Sequence, residues 1–463
     1  MKSSSQRQIL LTLFLGVLMG ALDIAIVGPA LPSIQKSFTL DERALAWIFT
    51  IYVLFNLISV PVMAYLSDTV GRRAIYILDV TLFAFGSLLV AVSPSFTVML
   101  LGRAIQGAGA GGIFPVASAV IGDTFAPEKR GGALGLIGAV FGVGFLVGPI
   151  LAGVVLLFAS WHWLFIINLP VAAVVIWMSA RLLPATGGKA RQAFDFAGMI
   201  LLGLTLASLS FGINQIDTKN LASLLSANVL PFLSAAVLLA IVLVLVESRA
   251  TAPVIHLRLF DSRQVQLAGL VAFGAGLGEA SIVFVPALVV LAFGVSSSTA
   301  SFMLLPAVLA MAVGSPLAGR GLDSVGSRIV VMFGAALASA GMFVVGLLGT
   351  QMVFFYVAAG LAGVGLGVLL GAPLRYILLN EAPAGERASA QGLVALFTSV
   401  GQLVGGALVG AIAHSLAGGV AGYTFAFLVV GAILLVLTVL AAGLKNRAAE
   451  LETALKNHQL SNA

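Results

Sequence analysis

Apolar stretches of about 20 residues, the length that crosses about 30 Å of hydrocarbon, recur from one end of this chain to the other. They fall near residues 9–32, 45–66, 74–94, 97–121, 132–156, 161–183, 196–215, 229–247, 265–293, 299–319, 329–349, 353–379, 389–413 and 420–444. The pattern predicts fourteen membrane-spanning helices joined by short connectors, with no room for a soluble domain. Composition points the same way. Of 463 residues, 60% are hydrophobic and 9% charged, against about 25% charge in an ordinary soluble protein. No soluble fold covers that much apolar surface, so the solvent is lipid.

Charge placement sets the topology. With the N-terminus inside, the connectors on that side hold eighteen Lys and Arg residues, and the opposite loops hold three: Lys36, Arg43 and Lys219. That bias follows the positive-inside rule and requires an even number of spans. It places both termini in the cytoplasm, and the net charge of +6 is read through it rather than as nucleic-acid binding. Lys2 and Arg7 precede an apolar run without a small-residue cleavage pattern, so that run is expected to be retained as the first span. Cysteine is absent, which excludes disulfides and thiolate metal sites. The four histidines are scattered, which argues against a histidine metal centre. The tail beyond Leu444 reads as a short amphipathic helix, with Leu451 and Leu455, solvated or lying on the membrane surface.

The chain repeats itself at an offset near 256. Asp68-Thr-Val-Gly71-Arg72-Arg73 returns as Asp323-Ser-Val-Gly326-Ser-Arg328, and Gly107-Ala-Gly109-Ala-Gly111 as Gly363-Val-Gly365-Leu-Gly367. Both copies carry the Asp-x-x-Gly loop on the same side, so the repeats are parallel. Stretches one to six and nine to fourteen pair off, and stretches seven and eight form an insert. The expected domains are a six-helix bundle over 1–183, an insert with linkers over 184–264, a second bundle over 265–444, and a cytoplasmic tail over 445–463.

Several segments carry a family resemblance. Ala64-Tyr-Leu-Ser-Asp68-Thr-Val-Gly71-Arg72-Arg73 resembles the major facilitator motif between helices 2 and 3, departing from it at Ala64 and Thr69. Arg103-Ala-Ile-Gln106-Gly107 resembles the helix 4 motif. Gly135-x8-Gly144-x3-Gly148-Pro149-Ile-Leu-Ala152-Gly153 resembles the helix 5 antiporter motif, with Ala152 in place of a glycine. Leu22-Asp23 through Pro32 and Trp161 through Pro170 resemble the fourteen-helix drug:proton antiporter family. The resemblance covers nearly the whole chain. It implies an all-α membrane protein of the major facilitator fold, with two parallel six-helix bundles plus two inserted helices, working by alternating access. It also implies export by exchange with protons.

The residues can be weighed one by one. Asp23 lies about 14 residues into the first stretch, roughly 20 Å from its start. A carboxylate there costs at least about 2.5–3.5 kcal/mol, so it should face a cavity and be neutral for part of a transport cycle. Glu279 stands 256 positions later at the matching depth. Arg103 falls within the fourth stretch near the depth of Asp23, while its repeat partner is Ala359; the resemblance gives it a part in proton coupling. Asp23, Glu279 and Arg103 form the candidate proton-coupling set. The resemblance makes Asp68, Gly71, Arg72 and Arg73 a gating loop that braces the two halves against the start of the thirteenth stretch. Asp123 is a candidate partner for Arg72, and Asp323 with Arg328 is the weaker copy. Gly135, Gly144, Gly148 and Gly153 allow close helix approach, and Pro149 bends its helix. Asn56 and Gln106 are candidate polar groups in an otherwise apolar cargo cavity.

No G-x-x-x-x-G-K-[ST] loop occurs in the chain, so ATP does not drive it directly. No cofactor is expected beyond an ion gradient. The leading expectation is a non-enzymatic, monomeric transporter in a bacterial inner membrane, with protons, lipophilic small molecules and membrane lipid as partners and no nucleic acid. Two rivals remain open: a proton-driven exporter of a lipid or glycolipid, and a symporter of a polar nutrient. Clustered His, Asp or Ser at catalytic spacing is absent, which argues against a membrane-embedded enzyme.

Overall fold

The computed structural model describes residues 3–125, 127–185, 194–251, 253–382 and 387–453. Lipid offers no hydrogen bonds to a backbone, so each span must satisfy its own, and helices do so. Among the described residues fourteen helical segments result: α1 (Ser3–Phe38), α2 (Glu42–Thr69), α3 (Arg72–Ala91), α4 (Phe96–Thr124), α5 (Pro127–Phe158), α6 (His162–Leu182), α7 (Phe196–Asn214), α8 (Leu230–Glu247), α9 (Arg263–Phe293), α10 (Ser297–Leu322), α11 (Ser327–Leu348), α12 (Met352–Glu381), α13 (Arg387–Ser415) and α14 (Gly419–Ala441). Thirteen are long and apolar enough to cross a membrane, and the shorter apolar stretch Val143–Phe158 belongs to α5. No strand occurs among the described residues.

Long spans are broken by residues that remove a backbone donor, α10 among them at Leu304, ahead of Pro306. In α9, helix Arg263–Ile282 gives way to Val285–Phe293 just before Pro286. In α12, helix Met352–Leu370 stops ahead of Pro373 and resumes as Pro373–Glu381. Close crossings are made by glycine. A Cβ on Gly86 would strike the backbone of Gln106, and one on Gly341 the backbone of Ala362.

The chain falls into two compact units. The first comprises Met1–Leu40, Trp47–Gly203 and Ser296–Phe302; the second comprises Asp41–Ala46, Leu204–Val295 and Met303–Ala463. Within the second, the connector after α7 is tied down at both ends of its neighbourhood. The Arg43 guanidinium donates to the Ile216 carbonyl at 2.9 Å, and the Thr218 amide donates to Ser415 Oγ at 3.0 Å. Much of α8 is exposed, including Val237, Leu238 and Val244, which is the pattern of a helix facing lipid.

The start of the C-terminal tail differs from the sequence expectation. Glu450 is buried and accepts hydrogen bonds from the Ser327 amide, at 3.2 Å, and the Ser327 hydroxyl. Arg447 donates to the Ser324 carbonyl. The tail therefore docks on the α10–α11 turn instead of lying free, because that turn offers donors that a carboxylate satisfies. Leu455 lies outside the described residues.

Candidate functional site

The first unit holds a buried polar cluster. Asp23 on α1 and Arg103 on α4 are both fully buried and paired at 2.8 Å. The second Asp23 oxygen accepts from Gln106 Nε2 at 2.7 Å and from Asn168 Nδ2 at 3.3 Å. The same two amides donate to Ser87 Oγ, at 2.7 and 3.2 Å. Arg103 also donates to the Gln106 side-chain oxygen at 2.5 Å and to the Ile48 carbonyl at 3.0 Å. Its guanidinium lies 4.2 Å from the centre of the Tyr52 ring, a cation–π contact in a dry setting. Four helices of the bundle besides α2 thus converge on one carboxylate.

Asp23 was expected to face a cavity, and here it has no exposed surface. Gln106, read from sequence as a cavity-lining group, is likewise fully buried and committed to the cluster. The reason is electrostatic. An isolated carboxylate inside a helix bundle is costly, and one cation with two amides replaces the water it has lost.

The glycines of α5 seat this cluster. A Cβ on Gly144 would press on Ala21, and one on Gly148 would press on Ala25. Those alanines flank Asp23 on α1, so α5 lies against α1 at the depth of the carboxylate. Pro149 is buried. A Cβ on Gly153 would meet the Phe302 ring, and the Gly153 carbonyl accepts from Ser298 Oγ at 2.6 Å. Gly135 lies outside the residues described at side-chain level.

At one end of the same unit lies the Asp-x-x-Gly loop. Arg72 donates to Asp68 at 2.5 Å, to Asp123 at 3.1 Å and to Ser67 Oγ at 2.7 Å. Gly71 has φ 119°, a conformation that side chains disfavour. It lets α2 end and α3 begin with only Val70 and Gly71 between them. Arg73 is half-buried. In the repeat copy, Gly326 has φ 84° and Arg328 is half-buried, while Asp323 lies outside the residues described at side-chain level.

In the second unit, Glu279 on α9 is half-buried and accepts from Gln402 Nε2 of α13 at 2.9 Å. Among the described residues no cation pairs with it. Asn56 is half-buried on α2. Sequence reasoning missed Ser87, Asn168 and Tyr52 as members of the Asp23 cluster, because neutral residues in apolar helices give no charge signal. It also missed Asp79 of α3, which is fully buried. Asp79 lies only seven residues beyond the Arg72 loop and so reads from sequence as a loop-proximal acid.

The fold and its buried ionisable groups define a multi-pass membrane transporter. The chain belongs to the Major Facilitator Superfamily, whose profile it matches over residues 13–280 and 267–460. It is 34% identical over 406 residues to the uncharacterized MFS-type transporter YfiU of Bacillus subtilis, covering 86% of this chain and 78% of that one. It is 28% identical to the multidrug transporter protein MdtP of the same organism, covering 89% and 76%. Among solved structures, a bacterial homolog of the human lysosomal transporter Spinster superposes with a TM-score of 0.68 at 16% identity. That match covers 99% of each chain and speaks for the fold alone.

Proposed function

We propose that this chain exports lipophilic or amphiphilic compounds in exchange for protons, by alternating access, in a bacterial inner membrane with both termini cytoplasmic. The observation that carries the reading is the Asp23 cluster: a fully buried carboxylate whose only cation among the described residues is Arg103. Adding a proton to Asp23 would cancel that pair and leave Arg103 seeking another partner, which gives the bundle a reason to rearrange. Glu279, half-buried with one neutral partner, is the second carboxylate of the coupling set. Relatives named for multidrug transport support lipophilic cargo, and the positive-inside bias supports the orientation. The ion gradient suffices. One charge across about 100 mV is worth about 2.3 kcal/mol, and one pH unit about 1.4 kcal/mol. Together they sustain a hundredfold or greater gradient of neutral cargo.

The test uses purified full-length protein in proteoliposomes with a trapped pH indicator and ethidium as the probe cargo. Ethidium added to the outside should be exchanged for protons, with the signal abolished in Asp23→Asn and in Glu279→Gln. Proton-coupled ethidium movement that survives both substitutions rejects the mechanism. Lipid scrambling without any ethidium response would favour the lipid exporter.

A further inference from the structure

Among the described residues, Asp79 is the one buried acid of the first unit that the Asp23 cluster does not absorb. It has no exposed surface, and neither carboxyl oxygen has a hydrogen-bond partner among the described residues. Among the described residues, the ionisable groups on the elements around it are exposed or engaged with other partners, Tyr76 being near enough to interact with it electrostatically. On α3, Arg72 is bound to Asp68 and Asp123, Arg73 is half-buried near the loop, and the Tyr76 hydroxyl donates to the Leu13 carbonyl at 3.4 Å. On α4, Arg103 belongs to Asp23 and Asp123 to Arg72. On α6, His162 contacts Ser160 and Arg181 is exposed. On α1, Arg7 is exposed and Asp23 is engaged. Among the described residues no cation pairs with Asp79.

The space around it is shaped for a carboxyl group. A Cβ on Gly112 of α4 would overlap the Asp79 carboxylate, and a Cβ on Gly109 would strike the backbone between Asp79 and Phe83. The second unit shows that this crossing does not need an acid. There Gly365 sits against Gly334 and Ala338 as Gly109 sits against Asp79 and Phe83. Gly334 thus stands where Asp79 stands, and it receives the side chain of Val368 from the opposite helix. The same crossing is filled by a valine in one unit and by a carboxyl group in the other.

Depth completes the argument. Asp79 precedes Ser87 by eight residues on α3, Gly112 follows Gln106 by six on α4, and Gly16, which abuts Tyr76, precedes Asp23 by seven on α1. At 1.5 Å per residue α3 and α4 place Asp79, and α1 places its neighbour Tyr76, about 10 Å from the Asp23 cluster, toward the Arg72 loop. An ionised carboxylate in that dry notch has nothing to replace its water, so the tight crossing of α3 and α4 requires a proton on it.

We propose that Asp79 is a second proton-binding carboxyl of the first unit, loaded in this conformation, and that unloading it requires α3 and α4 to part. Its purpose rests on the proton-coupled reading above, but its test needs no cargo. Full-length protein carrying carboxyl-labelled aspartate, reconstituted in lipid, would be titrated from acid to alkaline pH by infrared difference spectroscopy. The Asp23→Asn background removes the contribution of the buried aspartate of the cluster. A labelled protonated-carboxyl band is expected in that background. It should vanish on titration, be absent from Asp79→Asn, and correspond to one proton fewer released per chain in that variant. Amide exchange over residues 79–83 should accelerate at least tenfold as the band disappears. A band absent at every pH, or one that persists until the protein unfolds, overturns the proposal, because Asp79 would then never load or never unload. A band that titrates with no change in amide exchange removes the coupling to helix separation. Because the titration of the band and the change in amide exchange are read with Asp79 in place, and ethidium exchange is scored separately, failure here is distinct from failure of the export reading.

Discussion

The two units build the same helix crossings around opposite interiors. A Cβ on Gly107 would meet the Tyr52 carbonyl, and one on Gly363 the Ala307 carbonyl. With the Gly86 and Gly341 crossings, this aligns Tyr52 with Ala307, Ser87 with Met342, Arg103 with Ala359 and Gln106 with Ala362. The four residues of the first unit belong to or pack on the Asp23 cluster. Their four counterparts in the second unit line an apolar cavity of about 30 Å³, room for about one water but without the polar partners that would hold it. The carboxylates differ accordingly: Asp23 is buried against an arginine, whereas Glu279 is half-buried against a glutamine. One repeat has become a locked ionic core and the other a plain apolar bundle with an accessible acid.

The contrast can be attacked in order of expected effect. Arg103→Ala should be the most damaging substitution. It strands a buried carboxylate, and breaking such a pair costs about 3–5 kcal/mol. Thermal unfolding followed by circular dichroism in detergent would read the loss, and adding Asp23→Asn to the same protein should restore part of it. If the double variant is no better than the single, the cluster is not a coupled ionic unit. Next comes Gly148→Val, which forces a branched side chain into Ala25. Overpacking of this kind costs about 1–3 kcal/mol, and an unchanged unfolding midpoint would mean that α5 does not lock α1 at the depth of Asp23. Glu279→Gln should cost only about 1 kcal/mol, since an amide still pairs with Gln402, yet it should abolish ethidium exchange. Equal destabilisation by Glu279→Gln and Arg103→Ala would erase the difference between the units. The smallest effect belongs to Ala359→Val. Filling about 30 Å³ at about 24 cal/mol per Å³ is worth at most about 0.7 kcal/mol of added stability, measured as a small rise in midpoint.

Much of this was legible in the chain itself. Apolar length marked each span, and the Asp68 and Asp323 loops marked the repeat, because both signals are local. Arg103 and Asp23 could be matched in depth by counting residues, since helical rise is constant. Ser87, Asn168 and Tyr52 could not be found that way. Each is a common residue in a membrane helix, and only the packing of the helices brings Asn168 to the carboxylate, Ser87 to the two amides and Tyr52 to the guanidinium. Asp79 failed for a related reason. Its distance from the loop is readable, but whether it points to water or into a glycine notch depends on the rotation of α3 against α4.

By itself, then, the sequence determined that lipid is the solvent, that the backbone must be helical, and that two halves share one plan, because hydropathy and repeat spacing are properties of consecutive residues. Tertiary structure decided which acids are paired, which is half-open, and which is left alone against glycine. Those outcomes depend on side chains separated by as many as 145 positions, such as Asp23 and Asn168, and burial and partnership exist only once the helices have packed.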